Sequence, residues 1–369
     1  MNSCRDKSIA FYISSLRKGG AERVIVNLAE HFYKEGYRTV IVTTRKAERE
    51  YEISSGIRRR IAEPQEEELN RGRIGNFKLR FLTLRQIWKE ERPGLILSFI
   101  GKNNMMAVLT SAFLKIPVVV SVRGNPPSEY PTGGLKFVAD VLFRRAAGVV
   151  LQTKASRSFF AKAVQKKAVI LENPLNPVFI KPAFTGERRN EIVSVGILDE
   201  NKNQAMLVKA FSGIAGEFPK MQLVIYGEGE KREELEELVK KLGIEERVHL
   251  PGQCDHVQDT IDKSRIFVLT SDTEGSPNAV IEAMSLGLAV IATDCPCGGP
   301  AELIQNRENG MLVPVRDEKA LEEALREILG NPALEEKLRK NAVQIQKTME
   351  PEKINRKWQQ YLEQFMLPG

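Results

Sequence analysis

The chain has 369 residues, of which 42% are apolar and 28% charged, enough apolar material for two cores and too much for a disordered chain. Its 4 cysteines are too few to form a disulfide framework at this length. The formal charge of +7 favours an anionic partner and leaves nucleic acid, a membrane surface and a phosphorylated small molecule open.

Arg5 and Lys7 precede a short apolar run that ends in Arg17-Lys18-Gly19-Gly20, not at a small-residue cleavage site. Residues 9–14 therefore read as a first strand, not as a signal peptide. The longest apolar stretch, 107–122, is interrupted by Lys115 and Pro117, short of the ~20 residues a bilayer span needs, so cytoplasmic residence is expected. Further strands are predicted at 39–44, 95–99, 118–122, 149–153 and 168–172, with helices at 21–34, 103–114, 135–146 and 156–164. Residues 45–76 are charged and weakly periodic and read as a loop-rich excursion.

Pro174, Pro177 and Pro182 break the alternation at 173–190, as a linker would. A second series follows, with strands at 192–196, 222–227, 248–251, 266–271, 289–293 and 311–315 and helices at 202–218 and 231–242. Helical segments alone close the chain, at 318–329, 333–346 and 351–366. The fold class is α/β, two successive doubly wound units with parallel, Rossmann-like sheets. Ligands in such sheets sit beyond the carboxyl ends of the strands, so two units in tandem would put binding edges either side of a cleft, as a two-substrate enzyme requires.

Three segments can carry chemistry. Gly19-Gly20-Ala21-Glu22-Arg23 follows the first strand and opens a helix, where close backbone approach and free N–H groups favour a phosphate. A plain tight turn is the alternative, and the spacing is not the G-x-G-x-x-G of a dinucleotide site. Gly196 precedes Lys202 at a predicted helix start, where a lysine adds a full charge to the helix dipole and suits a diphosphate; a solvated surface lysine is the alternative. The most specific segment is Ser271-Asp272-Thr273-Glu274-Gly275-Ser276-Pro277-Asn278-Ala279-Val280-Ile281-Glu282-Ala283-Met284. Ser276 is expected to cap a helix with Pro277 at its first position. Glu274 and Glu282 would then face one crevice, as acceptors for sugar and ribose hydroxyls.

The pair Glu274-x7-Glu282 resembles the E-x7-E signature of the family 4 retaining glycosyltransferases of GT-B fold. Gly19-Gly20-Ala21-Glu22, Tyr226-Gly227-Glu228-Gly229, Val248-His249-Leu250-Pro251-Gly252, Val290-Ile291-Ala292-Thr293-Asp294 and Asn309-Gly310-Met311-Leu312-Val313 match in the family's order along nearly the whole chain. The turn Cys295-Pro296-Cys297-Gly298-Gly299-Pro300-Ala301-Glu302 is similar to that of members extending lipid-linked or surface polysaccharides.

The resemblance implies an acceptor-binding domain over 1–178, a nucleotide-sugar domain over 179–349, and a final helix, 350–369, crossing back to the first. It implies that Glu274 contacts the transferred sugar, that Gly275, Ser276, Pro277 and Asn278 turn around sugar and diphosphate, and that Glu282 binds the ribose. Lys202 would neutralise the leaving diphosphate beside Gly196, with Gly19 and Gly20 closing over it. Transfer would retain the anomeric configuration and use no metal and no cofactor, the nucleotide sugar, a UDP-sugar, being a substrate. The acceptor would be a polyprenyl-diphosphate-linked glycan at the inner membrane face, which the enzyme meets as a peripheral protein.

Two positions depart from the pattern. Ile197 stands where the family has an arginine against the diphosphate, and Arg123 where many relatives carry an active-site histidine; Arg123 is thus a candidate phosphate or acceptor contact. A nucleotide-sugar-binding pseudoenzyme, or an epimerase or phosphorylase on the same scaffold, are the alternatives. Cys295 and Cys297 lack zinc-type partners, and His31, His249 and His256 are scattered. Arg58, Arg59, Arg60, Arg71, Arg73, Lys78, Arg80 and Arg85 form a basic cluster that is either an acceptor face or a solvated one. Low aromatic content and interleaved charges argue against a nucleic-acid partner.

Overall fold

A computed structural model of the protein describes residues 7–63, 72–131 and 133–366. The chain divides into two compact units, Met1–Pro174 with Glu352–Gly369, and Leu175–Pro351.

The first unit runs β1 (Ser8–Ile13), α1 (Gly20–Lys34), β2 (Arg38–Thr43), β3 (Arg58–Ile61), α2 (Gly72–Glu91), β4 (Leu95–Phe99) and α3 (Gly101–Ser111). It continues through β5 (Val118–Ser121), α4 (Pro126–Glu129), α5 (Gly133–Arg145), β6 (Gly148–Leu151), α6 (Lys154–Phe159), α7 (Lys162–Lys167) and β7 (Ala168–Ile170). Among the described residues its sheet has 7 strands in the order β3-β2-β1-β4-β5-β6-β7, with every neighbouring pair parallel. The order reverses between β1 and β4, a topological switch point. β1 is buried throughout because the sheet is covered on both faces: Ile9, Phe11 and Ile13 enter one core, Ala10 and Tyr12 the other.

The second unit comprises β8 (Arg189–Val195), α8 (Gln204–Ile214), β9 (Gln222–Tyr226), α9 (Arg232–Leu242), β10 (Val248–Gly252), α10 (Val257–Thr260), β11 (Ser264–Leu269) and α11 (Asn278–Ser285). Then come β12 (Ala289–Thr293), α12 (Gly299–Leu303), β13 (Met311–Val313), α13 (Glu318–Gly330), α14 (Pro332–Ala342) and α15 (Ile345–Thr348). Its 6-stranded parallel sheet is ordered β10-β9-β8-β11-β12-β13, switching between β8 and β11. Ile266 and Val268 pack on one side, Phe267 and Leu269 on the other. The last helix, α16 (Pro351–Glu363), belongs to the first unit, where Ile354, Trp358 and Leu362 are fully buried with residues of β1 and α1.

Several expectations are corrected. The excursion at 45–76 contains β3, an edge strand paired with β2 and carrying Arg58, Arg59 and Arg60. Its residues lack apolar alternation because ion pairs hold them. Arg58 and Arg60 reach the buried Glu91 carboxylate at 3.2 and 2.8 Å, and Arg59 forms an ion pair with Glu50 that holds this carboxyl well down, at about 2. Helix α2 was not expected either: Leu84, Ile87 and Trp88 of its second half are buried while Ile74 and Phe77 of its first half are exposed, so no single periodicity runs through it. The helix expected at 156–164 is two, because Phe160 is extended (ψ 161) and turns its ring into the core against Tyr130 and Phe143. That expected at 333–346 likewise divides into α14 and α15.

Glu91→Ala would leave Arg38, Arg58 and Arg60 without their shared carboxylate, whose side chain is 1% exposed. Breaking a buried pair costs about 3–5 kcal/mol, and the partial exposure of these arginines reduces that to roughly 2–3 kcal/mol. A urea midpoint unchanged in this variant would show the cluster to be energetically idle.

Candidate active site

Two loops at the carboxyl edge of the second sheet, 199–203 after β8 and 270–274 after β11, are joined through their backbones and short polar side chains. Asp272 N donates to Asn201 O at 2.7 Å, and Asn201 Nδ2 to Thr273 O at 3.1 Å. Thr273 Oγ1 donates to Asn201 Oδ1 at 2.7 Å, and Thr270 Oγ1 to Lys202 O at 2.8 Å. The loops present Lys202 and Glu274 to each other as an ion pair, and Ser271 Oγ donates to the same Glu274 oxygen at 2.8 Å. Asn203, in the left-handed conformation at φ 46, caps α8, so that helix starts at Gln204 and Lys202 remains in the loop. Asn tolerates this backbone better than most residues.

Glycines set the packing around this pair. Gly196 lies beside the Lys202 stem, and a Cβ on it would stand 3.6 Å from Lys202 Cε. Gly227, at φ 149, lies against the Gly196 carbonyl, which a Cβ would meet at 1.8 Å. The first residue of α12 presses on the Glu274 loop, because a Cβ on Gly299 would lie 1.7 Å from Gly275 O. Gly299→Ala must therefore displace the Glu274-Gly275 backbone. A shift of about 1 Å in such a site costs on the order of 10²-fold in kcat/KM, and an alanine variant with unchanged kinetics would show that this contact does not position Glu274.

Gly275, Ser276, Pro277 and Asn278 carry the chain from Glu274 into α11, but Pro277 is the N-cap and Asn278 the first helical residue. The expected Ser276 cap is thereby corrected: the N-cap is Pro277, whose ring carries no acceptor, and its extended backbone (φ -75, ψ 97) turns the chain. Glu282 lies in the second turn and is 8% exposed. Cys295 is buried nearby, and burial, with the Glu274 charge, pushes its thiol up to about 12, so it is no thiolate nucleophile. Among the described residues no group of His, Cys, Asp and Glu is placed to hold a metal ion.

The other expected site residues lie in the first unit. Gly19 is the N-cap of α1 and Gly20 its first residue. Arg123, after β5, is turned inward and 7% exposed. Its guanidinium donates to Asn173 Oδ1 and stacks 4.7 Å from the Phe99 ring and 5.7 Å from that of Trp358. Burial pushes it down to about 9. The structure thus gives Arg123 intramolecular partners for the charge that sequence offered to a phosphate.

The basic cluster divides in a similar way. Arg58, Arg59 and Arg60 are neutralised by acids, and Arg85 caps the carbonyls of Thr110 and Ala112 at 2.8 and 2.7 Å. Lys78 and Arg80 are exposed. Arg71 lies outside the described residues, as does the Arg73 side chain. Sequence reasoning overlooked Asn201 and gave no role to Asp272 and Thr273, whose only signal was adjacency to Lys202 and Glu274.

The family described as Glycosyltransferase Family 4 matches residues 18–178, and Glycosyl transferases group 1 matches residues 178–345. The chain belongs to the family 4 glycosyltransferases. This glycosyltransferase is 27% identical, over 95% of its length and 96% of the relative's, to a Campylobacter jejuni GalNAc-alpha-(1->4)-GalNAc-alpha-(1->3)-diNAcBac-PP-undecaprenol alpha-1,4-N-acetyl-D-galactosaminyltransferase. It is also 27% identical, over 96% of its length and 99% of the relative's, to that organism's N-acetylgalactosamine-N,N'-diacetylbacillosaminyl-diphospho-undecaprenol 4-alpha-N-acetylgalactosaminyltransferase. The GT-B fold is shared with Anabaena Alr3699/HepE, solved in complex with UDP-glucose, at a TM-score of 0.82 and 19% identity over 96% of this chain and 99% of that one. No helix among the described residues of the glycosyltransferase is long and apolar enough to cross a membrane.

Proposed function

We propose that the protein transfers a hexose or N-acetylhexosamine from a UDP-sugar, with retention, to a glycan carried on a polyprenyl diphosphate. The observation that carries this reading is the Lys202–Glu274 pair at the carboxyl edge of the β8–β11 switch, on loops fixed by hydrogen bonds to one another. Lys202 neutralises the charge that develops on the departing diphosphate, the work a divalent cation does elsewhere. Glu274 accepts hydroxyls of the transferred sugar, Gly275 to Asn278 enclose it, and Glu282 receives the ribose. The bond from the anomeric carbon to the phosphate oxygen breaks. The acceptor oxygen forms its bond on the same face, and its proton passes to the leaving phosphate oxygen, so no protein general base takes part.

The first unit receives the acceptor. Two relatives named for undecaprenyl-diphosphate-linked substrates support a lipid-linked acceptor, and the neighbour bound to UDP-glucose supports a UDP donor. Exposed Ile74, Phe77 and Leu82 on α2, with Lys78, Arg80 and Lys89, suit peripheral contact with an anionic membrane surface.

The test is incubation with a panel of UDP-sugars and a polyprenyl-diphosphate-linked oligosaccharide in the presence of EDTA. UDP release with an α-linked product from an α-linked donor is expected. A β-linked product, a requirement for added metal, or no turnover of any UDP-sugar in the panel would overturn the corresponding part of the reading.

A further inference from the structure

The carboxylate of Glu129, at the end of α4, joins two loops of the first unit just beyond the β4–β5 pairing, past the backbone bond from Ile100 N to Ser121 O at 3.1 Å. Its Oε2 accepts the Gly101 N–H at 2.7 Å, at the start of α3. Its Oε1 accepts the N–H groups of Gly124 and Arg123 at 2.6 and 3.0 Å, in the loop after β5. Both loops leave the carboxyl ends of neighbouring strands, where an open α/β sheet meets its ligand.

The backbone it holds is not one the chain adopts by itself. Ile100, between β4 and Gly101, has φ 72 and ψ 128, a conformation that a β-branched residue avoids unless its surroundings impose it. Such positions cluster where a loop must be held for function. The neighbouring Tyr130, the C-cap of α4, is buried and reaches Gly101 O at 3.4 Å, so Glu129 and Tyr130 hold the N–H and the carbonyl of the same residue.

We propose that Glu129 is a positioning residue for transfer: by holding the Gly101 and Arg123-Gly124 backbones together it sets the acceptor-binding edge of the first unit. This rests on the proposed function, which assigns the acceptor to that unit. The chemistry needed is an acceptor-only group with two oxygens facing three N–H donors. Glutamine keeps one such oxygen and turns an NH₂ toward the remaining donors, whereas aspartate keeps both oxygens on a stem one methylene shorter.

The experiment compares wild type, Glu129→Gln, Glu129→Asp and Tyr130→Phe in the transfer assay with lipid-linked oligosaccharide, alongside UDP affinity and melting temperature. Glu129→Gln is expected to lower kcat/KM for the acceptor by about 10²-fold, the cost of a displacement of roughly 1 Å, with UDP affinity unchanged. Glu129→Asp should fall between it and wild type, and Tyr130→Phe, which removes the bond to Gly101 O and leaves the three N–H bonds to Glu129, should lower acceptor kcat/KM less than Glu129→Gln does. The proposal is overturned if both Glu129 variants match wild type in acceptor kinetics. It is equally overturned if UDP affinity and acceptor kinetics decline together in step with melting temperature, which would make Glu129 a residue of general stability. If Glu129→Gln does not fold, Glu129→Asp decides alone by the same two criteria. A wild-type enzyme that transfers no sugar refutes the parent reading, a result distinct from an active wild type with active variants.

Discussion

Lys202→Ala is expected to lower kcat for sugar transfer by about 10²–10³-fold, the usual consequence of removing one group that stabilises developing negative charge. The lysine has no evident substitute at the position that sequence comparison makes most relevant, because Ile197 offers no charge and is 45% exposed. Arg316, which reaches the 270–274 loop, is committed to Asp272, with Nε at 3.0 Å from the carboxylate. Alanine also removes the partner of Glu274, so the carboxylate keeps only Ser271 among these contacts. Donor affinity should fall less than kcat, since the charge on the diphosphate grows as the bond breaks. Initial rates of UDP release, read with a coupled assay at saturating acceptor, would measure the effect. Turnover within twofold of wild type would remove Lys202 from the leaving-group role.

Trp358→Ala is expected to destabilise the first unit by about 3–5 kcal/mol, the range for truncating a fully buried aromatic. Trp358 has no exposed surface and donates its Nε1–H to Glu172 O at 3.0 Å, and its ring lies 6.0 Å from that of Phe99. The loss therefore combines a cavity, an unpaired carbonyl and a missing face for the Arg123 guanidinium. Both tryptophans of the chain, Trp88 and Trp358, lie in the first unit, so in the variant Trp88 alone reports its unfolding by fluorescence. A urea midpoint equal to wild type in that signal would show that α16 contributes nothing to the unit.

The parallel sheets were legible in sequence because their strands are buried on both faces and read as short apolar runs, as at residues 9–13 and 266–269. β3 was not legible, since Arg58, Arg59 and Arg60 are satisfied by Glu91, Glu90 and Glu50, and such distant pairing leaves no periodic trace. Within the site, a predicted helix start pointed to Lys202 and spacing to Glu274 and Glu282, and the resemblance gave each a role. The bonds that bring Lys202 to Glu274 were hidden, because Asn201 and Thr273 act through short polar contacts that many loop sequences could make. Arg123 was legible as a strand-end arginine, but its surroundings, Asn173, Phe99 and Trp358, were not, since they come from distant parts of the chain. Glu129 gave no signal at all, since a carboxylate that binds only backbone N–H groups needs no recognisable partner in sequence.

The return of α16 to the first unit bears on how the protein is made. Ile354, Trp358 and Leu362 complete a core that begins at Ile9, so the first unit to emerge from the ribosome is the last to be finished. The segment Leu175–Pro351 can close around its own sheet while that gap is still open. Until the final helix is released, the growing chain carries an uncovered apolar seam along β1 and α1, a natural place for a chaperone to hold it. A nonsense codon between Pro351 and Ile354 would leave the second unit complete and the first permanently unsealed.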